Sequence, residues 1–402
     1  MRRFLVVFMI FVFIFPLTAQ AAPKLEQYNH PSETRQKGQI VWKLSGLGKP
    51  SEPLILVPDD KLIILAGSKM LCINLQGNLL WETKVGNGKM GTPIVTEKGS
   101  IFTAGKGVVV ETKINGARGW SFTALPGGKD KEPQLARGSN NLIYLPLPYA
   151  LYALDTNGHT IWNFSPWDNS ERFTTKTADK RSFMDCAADE RTFFAVYTDQ
   201  KAAYKMVVID SQGNLLWNYW MGDLIAVNIV PGEQERVYVT ATLKPSKQQA
   251  GGKSSSGKLN QGRIYCFDRN NGKKPLWQYN VKVTNTLTAP VLSGDSLYVV
   301  GGSSIYGLDA STGILKYENR LSNLVSVPAV DEDNRRIYAG SSKGLLYAIG
   351  SNGRLDWHRE LEGAIENAPL LGPDGYLYVC TQKGNLYKIR DNADGVSVTP
   401  NR

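Results

Sequence analysis

The segment LYALDTNGHTIW, residues 151–162, contains the pattern that determines the fold. A short run of alternating apolar residues is followed by Asp155, by a turn that includes Gly158, and by a second run that ends at Trp162. Alternation on both sides of an Asp-x-Asn-Gly turn predicts a β-hairpin, because glycine adopts the positive φ that a tight turn requires. The pattern recurs along nearly the whole chain, so we expect a fold built from copies of one unit.

Repeat spacing identifies the kind of unit. The pattern recurs at 71–81, 108–120, 206–217, 264–277, 305–317 and 346–357, and, without a closing aromatic, at 386–398. The closing aromatic residues, together with an unmatched one near the start, are Trp42, Trp81, Trp120, Trp162, Trp217, Trp277, Tyr317 and Trp357. Successive members are 39, 39, 42, 55, 60, 40 and 40 residues apart. A period near 40 with several short strands predicts the blades of a β-propeller.

The two ends of the chain determine the number of blades. Three strands follow Trp357, whereas the strand 39–44 stands alone before the first full unit. We therefore predict an all-β, eight-bladed propeller of four-stranded antiparallel blades, the last of which is closed by the N-terminal strand. Seven blades with frayed ends is the alternative. A bulky aromatic residue at each blade suits docking between blades, since such side chains bury about 150–250 Å².

The repeat, written [LI]-Y-A-[LI]-D-x-x-x-G-x-x-x-W, resembles that of the pyrroloquinoline-quinone (PQQ)-like β-propellers over roughly residues 39–391. That family contains quinoprotein alcohol dehydrogenases and a non-enzymatic branch that includes the outer-membrane barrel-assembly lipoprotein. The resemblance implies that each repeat tryptophan stacks between adjacent blades. It also implies that a dehydrogenase would have two adjacent cysteines beside the quinone and a Ca²⁺ site, and this sequence has no such pair.

The N-terminal residues are typical of a secretory signal. Residues 1–21 contain two arginines, twelve apolar residues at 4–15 and an Ala-x-Ala site at Ala19 and Ala21. We expect the signal peptide to be followed by a polar linker at 22–38 and a single propeller domain at 39–398. This organisation predicts an exported protein of the cell envelope or beyond, monomeric, with membrane contact only if the signal stays uncleaved.

Cysteines and charge restrict the chemistry further. Cys72, Cys186, Cys266 and Cys380 fall in different repeats, which would place them too far apart for bridging, and we expect buried free thiols. One disulfide is the alternative, since an exported chain with an even number of cysteines can contain one. The net charge is +10, and removal of the signal lowers it to +8, which favours anionic surfaces such as envelope polymers. No module typical of nucleic-acid binding is present, so we expect no nucleic-acid partner.

Two insertions interrupt the repeat, at 165–183 and 244–262. The first follows the last strand of one blade and the second separates the second and third strands of another, so both belong on the same rim of the ring. Loops of this kind on a rigid scaffold are where binding sites usually form. The candidate partner-binding residues are Trp167, Arg172, Phe173, Lys176, Lys180, Arg181, Lys244, Lys247, Lys253 and Lys258.

Catalytic patterns are not found in the sequence. The three histidines, His30, His159 and His358, are too scattered for a metal site. The aspartates of the repeat precede the turn glycines and are expected to accept hydrogen bonds within Asx turns. We therefore predict a non-enzymatic scaffold that binds a protein or an anionic envelope polymer and needs no cofactor or metal. The alternatives are a PQQ- or metal-dependent oxidoreductase using the central channel and a carbohydrate or cell-wall binding module.

Overall fold

β-Strands make up nearly all of the regular structure in the described part of the chain. The computed structural model describes residues 22–28, 37–96, 98–105, 108–123, 134–138, 141–147, 150–165, 183–198, 204–244 and 259–391. Within these ranges there is no helix that is long and apolar enough to cross a membrane. The strands form eight antiparallel sheets, which we number in chain order.

The strands of the N-terminal half follow the predicted hairpins. The first two are β1 (Lys24–Gln27) and β2 (Gln39–Ser45). Sheet 1 contains β3 (Ile55–Val57), β4 (Lys61–Ala66), β5 (Lys69–Asn74) and β6 (Leu79–Lys84). Sheet 2 contains β7 (Ile94–Val95), β8 (Ile101–Gly105), β9 (Val108–Thr112) and β10 (Arg118–Thr123). Sheet 3 contains β11 (Ala136–Arg137), β12 (Ile143–Leu147), β13 (Ala150–Leu154) and β14 (Thr160–Phe164). Sheet 4 contains β15 (Phe183–Ala188), β16 (Thr192–Thr198), β17 (Tyr204–Asp210) and β18 (Leu215–Gly222).

The C-terminal half continues in the same order. Sheet 5 contains β19 (Leu224–Pro231), β20 (Arg236–Leu243), β21 (Asn260–Asp268) and β22 (Trp277–Val283). Sheet 6 contains β23 (Val291–Ser293), β24 (Ser296–Gly301), β25 (Ser304–Asp309) and β26 (Leu315–Arg320). Sheet 7 contains β27 (Ala329–Asp331), β28 (Arg336–Gly340), β29 (Leu345–Gly350) and β30 (Leu355–Glu360). Sheet 8 contains β31 (Leu370–Leu371), β32 (Leu377–Cys380) and β33 (Leu386–Arg390), joined by β2 and β1.

The sheets form a closed ring, and the packing of the core shows this. Clusters of buried apolar side chains fill the space between each sheet and the next. A further cluster joins Trp42 and Tyr378 of sheet 8 to Leu62 and Ile64 of sheet 1. Because every sheet thus packs on two neighbours, the ring has no open end. The prediction of eight blades is confirmed, and the seven-bladed alternative is wrong.

The N-terminal strand closes the ring as predicted. In sheet 8, β2 pairs antiparallel with β33, from Gln39 opposite Arg390 to Leu44 opposite Leu386. The assignment of 22–38 to a polar linker needs correction, because Lys24–Gln27 forms β1, a fifth strand on the outer edge of β2. Leu25 of this strand packs on the cluster between sheets 8 and 1. A single apolar residue in a polar segment produced no alternation that the sequence analysis could detect.

The repeat tryptophans connect neighbouring sheets. In five of them the indole Nε1 donates a hydrogen bond to a backbone carbonyl oxygen in the turn of the following sheet: Trp81 to Ile114 (3.0 Å), Trp120 to Thr156 (2.6 Å), Trp162 to Ser211 (2.8 Å), Trp217 to Arg269 (2.6 Å) and Trp277 to Ala310 (3.1 Å). The indole ring also packs over the glycine of that turn. At Gly116, where φ is +85°, a Cβ would lie 2.7 Å from the Trp81 indole. Glycine is therefore required there both for backbone conformation and for space. Gly272 differs in lacking a positive φ, since Lys273, Lys274 and Pro275 lengthen its turn.

The eighth turn is assembled from both ends of the chain. Gly38, with φ +69°, lies against the Trp357 ring, where a Cβ would approach to 2.7 Å. Trp357 Nε1 donates to the Asp391 carboxylate at 2.7 Å, and the Gly38 amide donates to the Asp391 carbonyl oxygen at 3.4 Å. Gly38 and Trp42 have the same spacing as Gly158 and Trp162. The N-terminal segment thus supplies the glycine and fourth strand of sheet 8. Residues 392–398, which we assigned to the domain, lie outside the described residues.

The two ends of the ring differ in the loops they carry. We call the turn face the end that carries the connections after the first and third strands of each sheet. We call the insertion face the opposite end, which carries the connections after the second and fourth strands. The segment between β14 and β15 and the segment between β20 and β21 both belong to the insertion face.

Candidate protein-binding site

The predicted binding residues are mostly beyond the described ranges. Lys244 is described: its side chain is exposed, and its backbone amide donates to the Asp223 carbonyl oxygen at 2.9 Å. The others, for which the prediction stays open, are Trp167, Arg172, Phe173, Lys176, Lys180, Arg181, Lys247, Lys253 and Lys258. The described ends of the insertions require one correction: β15 begins at Phe183 and β21 at Asn260, so the predicted insertions 165–183 and 244–262 extend into strands.

Sheets 4 and 5, which flank the insertions, have unusually long inner strands. The inner strands β15 and β19 contain 6 and 8 residues, whereas the other six contain 2 or 3. Pro93, Pro290 and Pro328 each directly precede a short inner strand. Proline has no N–H to donate to a strand ladder, so it ends pairing. Asp185 and Asn228 lie within the long strands near the corresponding positions, and pairing continues through them.

The longer strands bring an apolar patch to the insertion face. Trp220 of β18 is 65 % exposed, Ile225 of β19 is 40 % exposed, and Leu259 before β21 is 46 % exposed. We call these three residues the Trp220 patch. The register of sheet 5 places Ile225 and Leu259 at the same end of that sheet: Leu243 lies opposite both Leu224, next to Ile225, and Gln261, two residues after Leu259.

Gly222 allows the Trp220 ring to reach sheet 5. It follows Trp220 by two residues with φ +84°, at a register shift between β17 and β18. A Cβ at Gly222 would lie 3.8 Å from Trp220 Cη2 and 3.6 Å from Leu243 Cδ2, so both side chains border the same point. Ile225 lies at a second register shift, between Leu224 and Ala226. Bulges redirect side chains in this way, and they commonly accompany functional sites.

Trp220 was not among the binding residues predicted from the sequence. Of the nine tryptophans, seven close a repeat, and Trp167 and Trp220 do not. Large exposed aromatic residues are enriched among those that dominate protein–protein binding energy. A tryptophan that does not close a repeat was therefore the feature of the sequence that could have identified Trp220. It was missed because Trp220 lies close in sequence to the repeat residue Trp217.

A partly buried carboxylate joins the two long inner strands. The Asp185 side chain accepts a hydrogen bond from the Ile229 amide at 2.8 Å, which ties β15 to β19. Burial disfavours the charged form and raises the pKa of Asp185 to about 7, although hydrogen bonds from the Ile229 and Cys186 amides oppose this effect. The contact between β15 and β19 therefore includes a carboxyl group whose pKa is raised to about 7.

The four cysteines lie in the buried cores of their sheets. Each of the four cysteines is buried and free, as predicted, and burial raises the pKa of Cys72 and Cys266 to about 11. Because they lie in four different sheets, they do not form the adjacent pair that quinoprotein dehydrogenases have beside the quinone. No group of three His, Cys, Asp or Glu side chains that could hold a metal occurs among the described residues.

The repeat aspartates act within their turns, as predicted. Asp155 accepts hydrogen bonds from the Asn157 and His159 amides, and Asp210 does so from Gln212 and Asn214. At Asp309, hydrogen bonds from the Ser311 and Thr312 side chains hold the pKa of the carboxylate well below its ordinary value. These carboxylates are thus engaged in stabilising the turns, the Asx-turn role that the sequence predicted.

The fold and the repeat define the class: an eight-bladed propeller of PQQ-like repeats with an exposed apolar patch on one face. The model of the family PQQ_2, described as "Outer membrane protein assembly factor BamB", matches residues 33–221 and 260–390, and the chain belongs to this family. The chain is 30 % identical over 99 residues to outer membrane protein assembly factor BamB of Burkholderia pseudomallei (strain K96243), which is 24 % of the chain and 26 % of the relative. It is 26 % identical over 208 residues to the protein of the same name from Bordetella pertussis (strain Tohama I), which is 48 % and 52 %. The chain thus matches at most about half the length of these relatives.

Solved structures agree on the fold. The crystal structure of BamB from Moraxella catarrhalis has a TM-score of 0.62 at 14 % identity, with 88 % of this chain and 99 % of that chain covered. The Dos1 propeller has a TM-score of 0.67 at 11 % identity, with 88 % and 94 % covered. At such identities the likeness concerns architecture alone.

Proposed function

We propose that this protein is an exported scaffold that binds a protein partner during the assembly of outer-membrane proteins and catalyses no reaction itself. Membership in the family described as an outer membrane protein assembly factor supports the process. The observation that carries the binding role is the exposed Trp220 patch, which lies on the same face of the ring as the ends of both insertions. The apolar character of the patch favours a protein partner over a polymer of like-charged groups.

The insertions would enlarge this surface. We propose that Lys244 and the other lysines of the second insertion attract acidic groups of the partner and increase the association rate, which would make binding sensitive to salt. Trp167 and the arginines of the first insertion would supply a second anchoring point. The N-terminal signal would place the scaffold in the cell envelope, where such a partner resides.

The test compares two exposed apolar residues on different parts of the ring. Trp220→Ala removes the centre of the patch, and Ile314→Ala removes a side chain of similar exposure, 67 %, from a turn of sheet 6 on the turn face. Each variant, tagged and expressed in the native envelope, is used to capture partners, which are identified by mass spectrometry. We expect Trp220→Ala to lose outer-membrane assembly proteins by about tenfold and Ile314→Ala to retain them. Equal capture by both variants would refute the proposed surface.

A further inference from the structure

The outer edges of the sheets differ in how they are protected against additional strands. Outer edge strands expose unpaired backbone groups, and charged side chains are a common protection against unwanted pairing. Six of the eight outer strands, namely β2, β6, β10, β22, β26 and β30, contain at least one charged residue. The neighbouring strands β14 and β18, with the sequences TIWNF and LLWNYWMG, contain none.

Of these two unprotected edges, β18 is the longer and more apolar. It contains 8 residues, the most of any outer strand, and β14 contains 5. Leu215, Leu216 and Trp220 expose 46 %, 45 % and 65 % of their surface, respectively. Within the described residues, no strand pairs with the outer edge of β18. A long, uncharged and apolar edge is the kind that accepts another strand.

Sheet 8 shows that this fold accepts a fifth strand in that position. There β1 pairs antiparallel with the outer strand β2, from Lys24 opposite Ser45 to Gln27 opposite Trp42. The Tyr28 amide extends the pairing by donating to the Val41 carbonyl oxygen at 2.9 Å. The added strand contributes backbone hydrogen bonds and one apolar side chain, Leu25, to the core. A strand of four residues of this chain therefore pairs at the outer edge of a sheet.

We propose that the outer edge of β18 binds an extended segment of a protein partner by strand addition. This inference rests on the proposed function and specifies its partner: an uncharged β-strand with alternating apolar residues, as in an incompletely folded β-sheet protein. Backbone hydrogen bonds to β18 provide affinity with little dependence on sequence. Apolar side chains on one face of the added strand pack beside Leu216 and Trp220, which gives a preference for alternation.

A short labelled peptide provides a direct probe. The peptide has about ten residues of alternating valine and threonine, the strand length and alternation that suit edge pairing, and a lysine at each end for solubility. A second peptide is N-methylated at alternate positions, which removes the amide donors along one edge. We expect fluorescence anisotropy to show binding of the first peptide and about tenfold weaker binding of the second. Hydrogen exchange should slow at Leu215–Trp220 when the first peptide is present.

Matched lysine substitutions locate the binding edge. Asn218→Lys places a charge on β18 one residue after Trp217, and Gln278→Lys places one at the corresponding position of β22, one residue after Trp277. Both side chains are exposed, so both variants should keep the wild-type melting temperature. We expect Asn218→Lys to weaken peptide binding about tenfold, because natural edges use lysine to block pairing, and Gln278→Lys to leave it unchanged.

Either of two results with the peptides would overturn the inference. One is equal binding of the methylated and unmethylated peptides, which would mean that side chains alone make the contact. The other is protection from exchange away from β18. If Trp220→Ala loses partner capture while Asn218→Lys does not, strand addition fails and the proposed scaffold role stands. If neither variant loses capture while the peptide still binds β18, the scaffold surface fails and the strand site stands.

Discussion

Sheets 4 and 5 depart from the regular repeat in a different way from sheet 8. Sheet 8 combines segments from both ends of the chain, and its irregular features are buried: Gly38 against Trp357, and Leu25 against the core. Sheets 4 and 5 are continuous, but their longer strands expose Trp220 and Ile225 on the insertion face. A departure from the repeat therefore has one of two consequences. Where it is buried it completes the architecture, and where it is exposed it creates a surface.

The largest difference in stability is expected between two tryptophan substitutions, one at the buried Trp357 and one at the exposed Trp220. Trp357→Ala should lower the free energy of unfolding by about 3–5 kcal/mol, because a large buried side chain is lost together with its hydrogen bond to Asp391. Trp220→Ala should lower it by about 0.5 kcal/mol or less, because the ring is largely exposed. Urea denaturation of both variants measures the difference. A loss below about 1 kcal/mol for Trp357→Ala would show that the aromatic residue does not dock sheet 8.

The second prediction concerns the split turn. Gly38→Ala should cost about 2–4 kcal/mol, since alanine is strained at φ +69° and its Cβ would clash with the Trp357 ring. Gly294→Ala is the control: its φ is +53°, and a Cβ there would meet no atom within 4 Å. Thermal or urea unfolding should therefore show a cost of about 1 kcal/mol for the control. Equal costs would mean that Gly38 is needed only for its backbone conformation.

The repeat explains which parts of this comparison the sequence could predict. Eight blades and closure by the N-terminal strand follow from the spacing of the aromatic residues, and the Gly38-to-Trp42 spacing already contained the split turn. The fifth strand, β1, could not be predicted from the sequence, because Leu25 is a lone apolar residue. Whether this strand pairs depends on where the core leaves space for the Leu25 side chain. The insertions could be assigned to a face by topology, but their conformations follow no repeat. Exposure of Trp220 depends on bulges at Gly222 and Ile225, which alternation in the sequence does not specify.

The third prediction uses the carboxylate that joins β15 and β19. The folded protein raises the pKa of Asp185 from an ordinary value of 3.8 to about 7. Between about pH 4 and pH 7 the native state therefore retains a proton that the unfolded chain has released, and rising pH destabilises the native state. Asp185→Asn imitates the protonated side chain and can still accept the Ile229 hydrogen bond. We expect this variant to exceed the wild type in stability at pH 8 by about 1 kcal/mol or more, and to match it at pH 4.

Melting temperatures measured from pH 4 to pH 8 test this prediction. Asp223→Asn, at an exposed position between β18 and β19, is the control and should follow the wild-type profile throughout. If the Asp185→Asn and wild-type profiles stay parallel, Asp185 is ionised in the folded protein and its surroundings are better hydrated than the raised pKa implies.

The smallest effect is expected for the exposed charges that connect the segment before β2 to sheet 7. The Lys37 ammonium lies 2.9 Å from the Asp356 carboxylate, which also pairs with Arg336 at 2.7 Å. Because Lys37 is exposed and Arg336 still neutralises Asp356, Lys37→Ala should cost about 0.2–1 kcal/mol, and the cost should shrink in high salt. Urea unfolding at low and high ionic strength provides the measurement. A cost near that of Gly38→Ala would indicate that charge, more than packing around Trp357, holds the two chain ends together, and the contrast between buried architecture and exposed surface would then weaken.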